Sequence, residues 1–149
     1  MSRAYTTRRL GIVEALVEKL EGINGTGAFL TDVAGNVSPR LKFWDEVEEF
    51  PAIHLNAGSE TREYQAGGFK DRFLSITVRC YVQDEDSVLA LDELLEDVET
   101  VLEDNSRLQY KDRTGANQYT QQITIVSVDT DEGVLEPLGV GELQIEVRY

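Results

Sequence analysis

The residues with the most chemistry to offer in this 149-residue chain stand close together. The only tryptophan, Trp44, and the only histidine, His54, fall in KFWDEVEEFPAIHLNAG at 42–58, where Asp45, Glu46, Glu48 and Glu49 put four carboxylates into five residues. A histidine beside carboxylates is the raw material of general acid–base catalysis or of a metal centre. The single cysteine, Cys80, adds a thiol. Each of these needs partners. A lone histidine does not make a zinc site. Cys80 sits mid-strand among alternating apolar residues, the setting of an inert core thiol, and lacks the electropositive neighbours that generate a thiolate.

Other chemistries fail on spacing. DTDEGVLEP at 129–137 puts acids at positions one and three of a calcium loop, but glycine falls at five (Gly133) instead of six, and position twelve is Val140 instead of glutamate. GINGTG at 22–27 has glycines but no GK[ST], and it follows a helix instead of leading a strand into one. No catalytic, metal-binding or cofactor-binding residue is expected, and no cofactor. FWDEVEEFP then has two readings that exclude catalysis equally. It is either an amphipathic turn burying Phe43, Trp44, Val47 and Phe50, or an interface in which Trp44 is the anchor inside an acidic rim.

Charge is the strongest global signal: 28 acids against 14 bases, formally −14. Such a chain does not grip a phosphate backbone by counterion release and tends to repel DNA. Solubility alone explains the charge as well. One cysteine precludes an internal disulfide. No run of eighteen apolar residues is present to span a membrane. The basic start followed by apolar residues has the outline of a signal peptide, but Glu14, Glu18 and Lys19 interrupt it, and a helix with one buried face fits better.

The elements that must position these residues follow from periodicity. Leu10, Val13, Val17 and Leu20 predict a helix over 8–21, ended by Gly22. AFLTDV (28–33) reads as a short strand and AGNVSP (34–39) as a turn. Residues 52–64 and 72–82 read as strands of a long hairpin with a polar tip at 59–71, with His54 on the polar face. Val88, Leu91, Leu95, Val98 and Leu102 predict a second helix over 87–104. A polar loop at 105–119 carries Arg107, Lys111 and Arg113, and strands at 121–129 and 141–149 finish the chain. The expectation is one α+β domain over 1–149, a mostly antiparallel or mixed sheet with two main helices in the order α-β-β-β-α-β-β.

This layout resembles the tail terminator proteins of long-tailed bacteriophages. RRLGIVEALVEKL leads; WDEVEEFPAIHLNAG introduces a strand through a proline; RFLSITVRCYV runs into the acidic helix LALDELLEDVETVLED; and ITIVSVDTDEG with GELQIEVRY ends the chain. The resemblance implies a structural virion protein, not an enzyme. It would form a hexameric ring at the head-proximal end of the tail tube after assembly in the host cytoplasm, stop tube polymerisation and present a surface for joining the head. The implied partners are further copies of itself, the tail tube protein, a head or neck connector, and a sheath if the tail is contractile. DNA would pass through an acidic lumen without specific binding, and no membrane is involved. The expected contact residues are Trp44 with Glu46, Glu48 and Glu49; Arg62 and Lys70 at the hairpin tip; Arg79 on the long strand; and Arg107, Lys111 and Arg113 in the loop. The alternatives are a neck or head-completion protein of similar fold, a small ligand-binding or enzymatic α+β domain, which needs convergent polar groups in a pocket, and an acidic decoy of DNA.

Overall fold

Three-to-four spacing becomes two helices and alternation becomes a sheet in the computed structural model, which describes residues 8–42 and 44–149. Helix α1 (Arg9–Glu21) buries Ile12, Val13, Leu16 and Leu20, and stops at Gly22, whose N–H returns to the Lys19 carbonyl at 3.2 Å. Helix α2 (Ser87–Asp104) starts under Asp86, whose carboxylate accepts from the Leu89 N–H at 3.3 Å, and buries Leu91, Leu94, Leu95, Val98, Val101 and Leu102. Acids near its C-terminus oppose the helix dipole, so the packed apolar face holds α2 in place.

The strands are β1 (Val37–Ser38), β2 (Ala52–Tyr64), β3 (Lys70–Gln83), β4 (Gln109–Lys111), β5 (Asn117–Tyr119), β6 (Gln122–Thr130) and β7 (Leu138–Arg148). Five of them form one sheet in the order β1-β2-β3-β7-β6, antiparallel except for the β1–β2 pair; β4 and β5 form a small hairpin of their own. The α+β class and its element order are those the periodicity implied.

Register decides which face is core. Leu74, Ile76 and Val78 on β3 lie opposite Val147, Ile145 and Leu143 on β7, and all six are buried under the helices. Helix α2 packs over β3 and β7, and α1 over β2 and β4. Each such side chain contributes about 2 kcal/mol by leaving water, so this one-sided core carries most of the drive to fold. Cys80 faces Gly141, where a Cβ would meet Leu91 and Leu95 at 3.1 and 3.2 Å; the missing side chain lets α2 settle onto the sheet. The opposite face carries Ser75, Thr77 and Arg79 beside Glu146, Gln144 and Glu142, all half-buried.

Three local expectations are corrected. Residues 28–33 form a loop touching Asn24 through one bridge at Asp32, because the Leu30 and Thr31 N–H groups bond to the side chain of Asp97 and not to a neighbouring strand. The short strand falls instead at Val37–Ser38, inside the segment expected to be a turn. The loop at 105–119 contains the β4–β5 hairpin, whose Leu108 and Tyr110 are buried in the main core.

Candidate assembly surfaces

The acidic stretch stands at the edge of the open sheet face. Trp44–Glu46 make one 3₁₀ turn, and Asp45, Glu46, Glu48 and Glu49 are exposed while Val47 and Phe50 are half-buried. The expected burial of Phe43 and the anchor role of the Trp44 side chain lie outside the described residues. Glu46, Glu48 and Glu49 line a cleft of about 250 Å³ together with Asn36, Lys42 and His54.

His54 departs from its expected place on a solvated face. It is 3% exposed, its ring lies 5.2 Å from that of Tyr81, and its Nδ1 has no partner. The segment before β2 covers this part of the face, since the Tyr81 hydroxyl donates to the Lys42 carbonyl. Burial lowers the His54 pKa, and the positive charges of Lys42 and Arg79 lower it further. With its pKa lowered and its Nδ1 bonded to none of the carboxylates that line the same cleft, His54 acts as a packing residue within its own chain. Arg79 is likewise tied down: its Nη2 sits 3.0 Å from a Glu142 carboxylate oxygen, both groups half-buried on the open face.

The β2–β3 hairpin carries Arg62 and Lys70 out to an exposed tip. Arg62 pairs with Glu60 at 2.9 Å, and the Lys70 ammonium lies 5.6 Å from the centre of the Tyr64 ring. At its base Arg72 is 5% exposed and lies over the Tyr149 ring at 5.5 Å, while Arg8 lies over the same ring at 5.4 Å. Arg148 pairs with Asp71 at 3.0 Å. This end of the sheet is therefore rich in cations and aromatics.

The β4–β5 hairpin joins that end from the helix side. Arg8 donates to the Gln118 amide oxygen at 2.9 Å, and Gly11 lets α1 approach so closely that a Cβ there would be 2.2 Å from the Lys111 carbonyl oxygen. Asp112 shapes the turn, accepting from the Thr114 hydroxyl at 2.6 Å and the Ala116 N–H at 3.1 Å, and these bonds, that of the Thr114 side chain foremost, hold its carboxyl at a pKa of about 2. The turn presents Lys111 and Arg113 to solvent, and Arg107 stacks over Tyr119 at 4.6 Å. Sequence reasoning located these three cations but missed the hairpin. The signal was LQYK at 108–111, where two apolar residues alternate with two polar ones.

The predicted contact residues thus do not meet at one site. Glu46, Glu48 and Glu49 flank the open sheet face, Arg79 lies within it, and the remaining cations gather toward the Tyr149 end. Among the described residues no group of three or more His, Cys, Asp or Glu side chains could hold a metal ion. Burial pushes the Cys80 thiol up to about 12, which removes it as a nucleophile at neutral pH. No helix among the described residues is long and apolar enough to cross a membrane.

Comparison with known proteins bears on what such surfaces are for. The family described as Bacteriophage Tail Tube Terminator Protein matches residues 6–149. The Tail tube terminator protein p142 of Escherichia phage T5 is 29% identical over 149 residues, covering 95% of this chain and 92% of that protein. A chain from the virion of a native gene transfer agent particle shares the fold with a TM-score of 0.64 at 10% identity, covering 97% of this chain and 98% of that one.

Proposed function

The chain belongs to the bacteriophage tail tube terminator family, and from that premise we propose that its copies close a ring, the six-membered ring implied by the resemblance, at the head-proximal end of the tail tube. It is a structural component of the virion and not an enzyme. In this reading residues 1–149 act as one domain, the ring stops tube polymerisation, and its outer surface receives the head or neck connector. The observation that carries the reading is the family match along residues 6–149.

The physical chemistry is consistent with it. At −14 per chain, a ring lets DNA slide through without adhering. The exposed cations of the β4–β5 hairpin, Lys111 and Arg113 with Arg107 behind them, form the contact offered to tube or neck, and Glu46, Glu48 and Glu49 form a second, acidic contact.

The test combines solution mass by light scattering over a concentration range with negative-stain imaging, with and without purified tail tubes. Closed rings, free or seated on tube ends, together with arrested tube growth, are the expected result. A chain that remains monomeric and leaves tubes growing in its presence overturns the reading.

A further inference from the structure

Resting on the reading of Glu46, Glu48 and Glu49 as an acidic contact of the assembled virion, we propose that the cleft they line with His54 is a socket for one arginine side chain, presented by a partner protein of the virion and not by another copy of this chain.

The cleft, about 250 Å³, is a built feature. One wall is the acidic stretch, and the Asn36 side-chain amide ties it to the sheet by donating to the Glu49 carbonyl at 2.9 Å and the Pro51 carbonyl at 3.2 Å. Lys42 stands on the other side, where the Tyr81 hydroxyl holds its carbonyl. His54 belongs to the lining although it is only 3% exposed, so what little surface it shows is in the cleft. Its Nδ1 is buried without a partner. Native proteins seldom leave a buried polar atom unmatched, and such an atom in the wall of a cleft marks where an incoming group can bond.

The incoming group must be a cation that donates several hydrogen bonds. Three carboxylates and one ammonium give the lining a net charge of −2, since His54 is held neutral by burial. Beyond the lining, Asp45 and Arg40 offset one another, and Arg79 is already paired with Glu142. Glu46, Glu48 and Glu49 make no ion pair among the described residues. They and His54 do not converge closely enough to hold a metal ion. Acceptors spread in this way suit a guanidinium, whose five N–H donors lie fanned in a plane and can reach carboxylates and a neutral imidazole at once; an ammonium is a compact point charge.

Copies of this chain have few arginines to give. Arg9 bonds to the Gly58 carbonyl, Arg62 pairs with Glu60, Arg148 pairs with Asp71, and Arg107 lies over Tyr119. Arg72 is buried, and Arg8 bonds to Gln118. The donor is therefore assigned to a different protein.

The test uses the full-length chain, in which His54 is the only histidine, so its ring nitrogens give single resonances in a ¹⁵N-labelled sample. The probes are capped glycine–X–glycine peptides at low salt, with X arginine, lysine or uncharged citrulline. The arginine peptide should move the Nδ1 resonance saturably, the lysine peptide less, and the citrulline peptide not at all. E46Q/E48Q/E49Q should weaken binding about tenfold, and K42Q, which removes the competing cation, should tighten it. All four side chains are exposed, so both variants should stay folded by circular dichroism. An unmoved resonance, equal affinity in the triple variant, or an equal response to lysine overturns the socket. So does a shift that appears when rings form with no partner present, which assigns the cleft to another copy. None of these results touches the ring reading. A chain that binds the arginine peptide yet forms no ring, free or on tubes, overturns the ring reading and not the socket.

Discussion

The carboxylate of Asp97, 1% exposed on helix α2, accepts the Thr31 N–H at 2.7 Å and the Leu30 N–H at 3.0 Å. One buried charge thus does for the loop at 28–33 what a neighbouring strand would do for a strand. Bonds to a charged acceptor are worth about 1.5–3 kcal/mol, and removing the acceptor leaves the donors unsatisfied. Asp97→Ala should therefore lower stability by about 3 kcal/mol, with Asp97→Asn in between, as read by urea unfolding. A loss within error of zero would mean the loop is held by something else.

Gly11 sets helix propensity against packing. In the first turn of α1 an alanine would still favour the helix, by up to about 1 kcal/mol. At this position its Cβ would lie 2.2 Å from the Lys111 carbonyl oxygen, and the β4–β5 hairpin would have to move away. Gly11→Ala should destabilise by about 1–3 kcal/mol, the usual cost of overpacking, seen as a lower Tm. A higher Tm would show that the hairpin does not depend on this approach.

These two sites mark where the sequence stopped being informative. Helices over 8–21 and 87–104 and the long strands were legible because one face of each meets water and the other does not, which writes a period into the chain. Leu74, Ile76 and Val78 announced both strand and core face. The loop at 28–33 was misread because its partner, Asp97, stands 66 residues away from Thr31 and carries no local signal. His54 was placed in solvent by alternation alone, which cannot see that the segment carrying Lys42 folds over Tyr81 beside it. The candidate contact residues were legible as charges, but which of them share a surface depends on how β2, β3 and β7 pair.

His54 gives a pH dependence with a definite sign. Its folded pKa is lowered, by burial first and then by Lys42 and Arg79, while the unfolded chain keeps a value near 6.5. The unfolded state therefore binds the proton more readily. The stability contribution is fully present above pH 6.5 and is lost as pH falls through the folded value. Wild type should lose more stability between pH 7.5 and 5.5 than His54→Gln does, as measured by urea midpoints at each pH. Parallel losses in the two proteins would remove His54 as the cause.

Cys80 is fully buried and its thiol is pushed up to about 12. A thiol reagent at pH 8 should label the native chain no faster than the chain unfolds, and should label it at once in concentrated urea. Prompt labelling of the folded protein would mean that the centre of β3 opens to solvent.

The last prediction concerns the β4–β5 hairpin. Leu108 and Tyr110 anchor it in the core and Asp112 fixes its turn, so its exposed charges can change without undoing it. Reversing Arg107, Lys111 and Arg113 to glutamate removes the stacking of Arg107 on Tyr119, worth about 0.5–1 kcal/mol. The fold should survive that loss. If the hairpin is the surface offered to tube or neck, the triple variant should still form rings yet leave tubes uncapped or heads unjoined, which counts of tube length and joined particles in negative stain would register. Normal capping and joining by the triple variant would take the hairpin out of the docking surface and leave the acidic stretch at Glu46–Glu49 as the contact to test next.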